Sequence, residues 1–481
     1  MTPEEFRRHG HTLIDWIADY RAALLRGEHP VLAPVVPGEL TGKLPSAAPD
    51  QAEPFEAVLR DLERLILPAC THTQDPRFFA YFPGNSALAA VLGDLASTGL
   101  AQLGLNWQAS PALTELESVT TDWLRRMSGL SDAWHGVIQD SASTATLVAL
   151  ICAREQASGH SAVHAGLQSA RQPLVVYASE QSHSSVEKAV RLAGLGRENL
   201  HAIEVDEAFG MRPEALGAAI AADRAAGRRP CAIVATTGTT ATTAIDPIEP
   251  LARIARAQGL WLHVDAALAG SAMILPECRW MWAGIEAADS IVVNPHKWLG
   301  ASFDCSVYFV RDVTQLVRVM SSSASYLQTA ADGAARNYRD WGIPLGRRMR
   351  ALKLWFLIRE QGVQGLQRRL RHDLALARWL AARVDATSDW RRLAPVPLQT
   401  VCVRHEPPAL AGEALDHHTL AWADRLNASG RAFLTPARVA GRWLVRVSLG
   451  VETTGREHVE ALWRDMQAAA RAALAERVMP S

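Results

Sequence analysis

Lysine is scarce in this chain. Only four lysines (Lys43, Lys188, Lys297 and Lys353) stand among 49 basic residues, and the rest are arginine. Arginine cannot condense with an aldehyde, so any such chemistry has few candidate residues. Cysteine is sparse too. Cys70, Cys152, Cys231, Cys278, Cys305 and Cys402 are scattered, with no C-x-x-C pair. That spacing argues against a zinc ribbon or a dithiol redox site and fits reduced thiols in the cytoplasm. No run reaches the roughly 18 apolar residues of a membrane span. A net charge of −1 gives no pull toward nucleic acid or an anionic membrane. There is no Walker A sequence, no G-x-G-x-x-G and no repeat. The start, Met1 to Arg8, has no apolar stretch after it, so no secretory signal is expected.

What is present fits two or three domains in 481 residues. Apolar residues at helical spacing predict a helix over 3–25. A proline-rich strap over 31–53 and a second helix over 54–66 follow, giving an N-terminal dimerisation segment at 1–87. From about Gly84 to Arg311 short apolar runs alternate with alanine-rich stretches. The runs cover 136–138, 174–177, 202–205, 232–235, 261–264, 291–293 and 306–310. This alternation predicts an α/β fold: a mostly parallel sheet covered by helices, with ligands at the carboxyl ends of its strands. The large domain is set at 88–352. Its small, polar stretch over about 313–340 is expected to be a mobile loop, and a long helix is expected over 344–361. A smaller α/β domain over 353–481 carries strands at 398–403 and 443–448 and a last helix at 456–477. Arg368, Arg369 and Arg371 form the densest basic run, read as a helix face.

The chemistry gathers just after the apolar runs. Asn294-Pro295-His296-Lys297-Trp298 follows the run 290–293, and Asp265 ends the run 260–264, 32 residues before Lys297. An amine and a carboxylate at neighbouring strand ends can hold pyridoxal phosphate, one at the aldehyde and one at the ring nitrogen. Alanines at 266 and 267 leave room for a flat ring. Asp140-Ser141-Ala142-Ser143-Thr144 opens a helix and can bind phosphate or simply cap the helix. His183 can stack on a ring or be structural. Thr236 to Thr240 can bond a cofactor hydroxyl or cap a turn. A metal site of His263, Asp265 and His296 is the weaker alternative, because no further acid or cysteine stands beside them; no metal is expected.

The joint order of these clusters resembles the group II pyridoxal-phosphate-dependent decarboxylases, within them the aromatic-L-amino-acid decarboxylases. The matching text is Phe78-Phe79-Ala80-Tyr81-Phe82-Pro83, Ser110-Pro111-Ala112-Leu113-Thr114-Glu115-Leu116-Glu117, His183-Ser184-Ser185-Val186-Glu187, His263-Val264-Asp265-Ala266-Ala267, the Lys297 pentad, and Trp341-Gly342-Ile343-Pro344-Leu345-Gly346-Arg347-Arg348. The resemblance implies the type I fold of pyridoxal-phosphate-dependent transferases. It implies that Lys297 is the Schiff-base lysine and that Asp265 partners the pyridine nitrogen. His183 and Ala267 would flank the ring, and Thr240 would lie near its oxygen. Ser141, Ala142, Ser143, Asn294 and His296 would hold the phosphate. Tyr326, inside the expected loop, matches the proton donor. In the family that loop closes over the neighbouring subunit's site, so a homodimer with active sites at its interface is implied.

The implied substrate pocket is Thr73, Tyr81, Phe82, Pro83, Gly84, Leu103, Leu105 and Gly346. The family's pattern is broken at Thr73, Gly84, Leu103 and Leu105, and at Asp140, which replaces a glycine. The implied reaction is α-decarboxylation of aromatic L-amino acids to amines. Three alternatives stay open: oxidative release of an aldehyde with ammonia and peroxide, histidine as substrate, and another reaction of the same cofactor such as transamination. With both Tyr326 and His183 present, the resemblance favours the amine as product.

Overall fold

A computed structural model describes residues 1–322 and 333–478. Seven runs pair into one sheet. They are β1 (His135–Gln139), β2 (Leu174–Ser179), β3 (Leu200–Ile203), β4 (Arg229–Thr236), β5 (Trp261–Asp265), β6 (Ser290–Val293) and β7 (Ser306–Val310). Their order is β1-β7-β6-β5-β4-β2-β3, and only β7 runs against its neighbours.

The central strands read as continuous apolar runs because both faces are covered. Val176, Ala178, Ala232, Val234, Val292 and Tyr308 share one buried cluster with helices Ala142–Ser158 and Ser184–Leu192. The alternating residues Val175, Tyr177, Ile233 and Ala235 are equally buried, and by strand geometry they face the other side. Helices Pro213–Ala225 and Ile248–Gln258 also pack on β4. Each buried Val or Ile contributes roughly 1.5–3 kcal/mol.

The chain divides into two compact units: residues 84–374 with 394–400, and residues 1–83 with 375–393 and 401–481. The first holds the seven-stranded sheet. The second holds helix Pro3–Leu25, helix Arg456–Val478 and a four-stranded sheet of β8 (Trp390–Arg392), β9 (Thr400–His405), β10 (Thr435–Val439) and β11 (Arg442–Ser448). The N-terminal segment, read as a region of its own, thus belongs to the same unit as the C-terminal residues. The boundary expected near 352 falls inside helix Ala351–Asp385.

Two expectations need correction. The stretch 313–340 is not a loop throughout. Val313–Met320 is a helix, capped by the Asp312 carboxylate on the Gln315 N–H at 2.9 Å and anchored by fully buried Leu316. The long helix begins at Ala351 rather than Pro344. Residues 344–350 stay irregular because Arg347 is drawn inward, donating to Glu117 Oε1 at 2.5 Å and to the Ile138 carbonyl at 2.7 Å. That buried network outweighs local helix propensity. Among the described residues, no helix is long and apolar enough to cross a membrane.

Candidate active site

β1, β2, β4, β5 and β6 run in one direction, so the polar clusters that follow them lie along one edge of the sheet. Asp140 to Ser143 follow β1 and His183 follows β2. Thr237 to Thr240 follow β4, Asp265 closes β5, and Asn294 to Lys297 follow β6. Register aligns Thr236 with Asp265, and Asp265 with Val292.

Lys297 sits within the tight turn Pro295–Leu299, with φ −91° and ψ −110°, values outside the helical region. The turn is held from several sides. Its carbonyl at Lys297 accepts from the Asn85 backbone N–H and side-chain amide, each at 3.4 Å. Arg369 donates to the carbonyls of Trp298 (2.9 Å) and Leu299. Trp298 Nε1 donates to Asp373 Oδ2 at 2.7 Å. Gly300 ends the turn at φ +105°, a conformation that a side chain would strain. The fixed turn limits where the lysine amine can reach.

Asp265 accepts the Ala267 N–H at Oδ1, 3.0 Å away, and its carbonyl accepts the Thr237 N–H at 2.9 Å. His183 caps helix Ser184–Leu192. Its Nδ1 accepts from the Ser185 N–H at 3.1 Å, which leaves the proton on Nε2. Desolvation of this anchored ring lowers its pKa below the ordinary imidazole value. The Asp265 carboxylate opposes that shift, and the Lys297 ammonium adds to it. Asp265 and Lys297 both lie within electrostatic reach of His183, and the imidazole is neutral near pH 7.

The residues read as a phosphate shell occupy two places. Ser141 is the N-cap of helix Ala142–Ser158 and accepts the Thr144 N–H at 3.3 Å. The first-turn N–H groups of Ala142 and Ser143 have no partner within the helix. Asn294 is fixed by the Ser306 hydroxyl, which donates to its Oδ1 at 2.6 Å, and its own N–H donates to the Ala267 carbonyl. His296 accepts the Cys305 N–H at Nδ1, 2.9 Å away. Burial pushes His296 down to about 4, helped by Lys297. It is thus a neutral ring with an N–H on Nε2.

Ala267 is buried and Thr240 is exposed. Gly346 lies beside Leu103: a Cβ added there would meet only the Leu103 Cδ1, at 3.4 Å. Gly84 and Leu105 belong to the same unit, whereas Thr73, Tyr81, Phe82 and Pro83 belong to the other. In that other unit Thr435 Oγ1 accepts the Tyr81 N–H at 2.7 Å, and Arg446 lies over the Phe82 ring. Tyr326 lies outside the described residues. His263 spends its ring nitrogens on Ser290 Oγ (2.9 Å) and Thr146 Oγ1 (3.4 Å), a structural use rather than a ligand's.

Several neighbours escaped the sequence. Phe303 packs against the His296 ring at 4.8 Å. Asp246 accepts the N–H groups of Thr236 and Met211, at 2.7 Å each, and so fixes the threonine turn. Phe303 and Asp246 carry no local signal: one reads as a loop aromatic, the other as a turn acid before proline.

An amine, a carboxylate, a flat neutral imidazole and helix-terminal N–H groups suit an aldehyde, a pyridine nitrogen, an aromatic ring and a phosphate. The buried hydroxyls of Thr236 and Thr237 have no hydrogen-bond partner among the described residues. The site thus fits pyridoxal phosphate in donor type and in placement.

Comparison with known proteins agrees. The chain is 40% identical over 480 residues to the aromatic-L-amino-acid decarboxylase of Bos taurus, covering 97% of this chain and 96% of the relative. It is 38% identical over 477 residues to the phenylacetaldehyde synthase of Arabidopsis thaliana, with 97% and 96% covered. The crystal structure of Oryza sativa TDC with PLP and tryptamine superposes with a TM-score of 0.95 at 34% identity, covering 98% and 99% of the two chains. Residues 37–406 match the pyridoxal-dependent decarboxylase conserved domain. With a lysine, an aspartate and a histidine gathered over one sheet edge and likeness along nearly its whole length, this chain belongs to the pyridoxal-dependent decarboxylase family.

Proposed function

We propose that this protein releases the α-carboxylate of aromatic L-amino acids as CO2 and leaves the corresponding amine. The observation that carries the reading is the placement of Lys297, Asp265 and His183 at the ends of parallel strands along one sheet edge, with Asp265 and Lys297 both acting on the His183 ring. Bound pyridoxal phosphate supplies a ring that accepts the electrons left when the bond to the carboxylate breaks. Lys297 would hold the cofactor's aldehyde end. Asp265 keeps a proton on the ring nitrogen. His183 would offer a flat neutral face to the ring, and Ala267 would leave space on the other. Ser141, Ala142, Ser143, Asn294 and His296 would hold the phosphate, and Thr240 would serve the ring oxygen. Tyr326 delivers the proton to the α-carbon.

The open position at Gly346 beside Leu103 supports a bulky aromatic substrate. Gly84 and Leu105, of the same unit as Gly346, belong to the proposed pocket. A homodimer is part of the same reading. Leu88, Leu92 and Leu95 on helix Leu88–Leu100 are each about half exposed, which supports a second copy covering them. The six cysteines, none of them in a disulfide, support a reducing cytoplasmic setting.

The similarity to a phenylacetaldehyde synthase favours one second reading, oxidative release of an aldehyde. A panel of L-amino acids with CO2, amine and peroxide all measured decides. Amine equal to CO2, with tryptophan, DOPA, phenylalanine or tyrosine as the best substrate, is the expected result. Peroxide in proportion to CO2 would replace the amine reading with the aldehyde one.

A further inference from the structure

Asp140 stands immediately before Ser141, the N-cap of helix Ala142–Ser158. On the reading above, this turn holds the cofactor's phosphate. A phosphate monoester carries between one and two negative charges near neutral pH. A carboxylate beside it works against binding. At a separation of about 8 Å and an effective dielectric of about 20, one such charge shifts affinity roughly tenfold or more.

Asp140 Oδ1 is buried and has no hydrogen-bond partner among the described residues. The Arg350 guanidinium feels the Asp140 charge. Arg350 is already engaged by Asp304, from Nε at 2.8 Å and Nη2 at 3.4 Å. Asp304 in turn acts on His296 of the phosphate shell. Nearby, Glu117 pairs with Arg347 at 2.5 Å, and Asp94 is shared by Lys353 at 3.2 Å and Arg348 at 3.1 Å. Arg350 is thus held by Asp304, while Asp140 Oδ1 keeps no hydrogen-bond partner among the described residues.

We propose that Asp140 weakens the grip of this turn on the cofactor's phosphate, so that the chain exchanges pyridoxal phosphate more readily than it would with a neutral residue there. The inference rests on the proposed phosphate site but concerns affinity, not chemistry. Arg350 is the opposing half of the device and offsets part of the repulsion.

Apo-protein titrated with pyridoxal phosphate, followed by absorbance and tryptophan fluorescence, tests it. Pyridoxal, which lacks the phosphate, serves as the second probe. Asp140→Asn and Asp140→Gly are each expected to bind pyridoxal phosphate at least about tenfold tighter, with pyridoxal binding unchanged. Arg350→Gln is expected to weaken pyridoxal phosphate binding. The double variant is expected to regain much of that loss, since neighbouring charges couple. Unchanged or weaker binding by Asp140→Asn would overturn the proposal. So would equal shifts for both probes, which would mean that the residue acts through the fold. If the unaltered protein shows no spectral response to pyridoxal phosphate, the proposed function fails and takes this inference with it. A normal response that Asp140→Asn leaves alone defeats the inference only.

Discussion

Asp246 and Asp265 lie at the ends of adjacent strands and serve opposite ends. Asp246, in the turn after β4, is fully buried, and both its oxygens are spent on backbone N–H groups. Burial pushes its carboxyl up to about 7, against the pull of those N–H groups. Asp265, the last residue of β5, is bonded among the described residues only at Oδ1, by a neighbour two positions on. Its charge acts on the His183 ring. An acid whose acceptor capacity is consumed by backbone fixes a turn. An acid with capacity left over can serve a ligand.

That contrast can be broken by experiment. The largest expected effect is on the Asp265 side. Asp265→Asn should lower kcat by about a thousandfold or more, equivalent to about 4 kcal/mol. The denaturant midpoint of the apo-protein should barely move. A large loss of stability with activity retained per folded molecule would reverse the two roles.

The next effect belongs to Asp246. Asp246→Ala leaves the N–H groups of Thr236 and Met211 buried without partners. It should cost about 2–4 kcal/mol of unfolding free energy in urea, with kcat per folded molecule within a few-fold of the parent. A neutral outcome would mean that water or a local shift satisfies those groups.

A pH series sharpens the same point. The folded carboxyl of Asp246 is raised toward about 7 from an ordinary value of 3.8. The folded state therefore binds the extra proton between those values. Its contribution to stability is complete below about pH 4 and is lost as pH rises through about 7. Asp246→Asn should remove that component, so the difference between the two unfolding curves should grow across the interval. Parallel curves would place the titration elsewhere.

The smallest effect tests positioning around the phosphate. Ser306→Ala removes the hydroxyl that orients Asn294. It should weaken pyridoxal phosphate binding by about three- to tenfold, in the manner of a supporting hydrogen bond, measured by titration of the apo-protein.

Much of the sheet was legible because its signal is local and repeated. Apolar runs of strand length, each followed by a polar cluster, locate all seven strands of the large sheet to within a few residues. Lys297 and Asp265 stand out for the same reason, as charged residues at the tips of buried runs. The chain around them was not legible. Glu117 and Arg347 meet across 230 residues, and that contact keeps 344–350 from joining the helix that follows. Asp246 gives no sign in the sequence that its carboxylate will be spent on backbone 35 residues away. The Val313–Met320 helix was missed because a short amphipathic segment beside a serine-rich stretch dilutes its own periodicity.

The distribution of lysine has a further meaning for a protein that handles an aldehyde. Pyridoxal phosphate condenses with accessible amines in general, and an ordinary protein surface offers it many decoys. Here Lys353 is sealed in the interior against Asp94, and Lys43 is tied to Glu39. Of the lysines outside the site, only Lys188 stands exposed without an ion pair among the described residues. The surface takes its positive charge from arginine, which the aldehyde ignores, and the chain is left with almost one chemical address at which its cofactor can land.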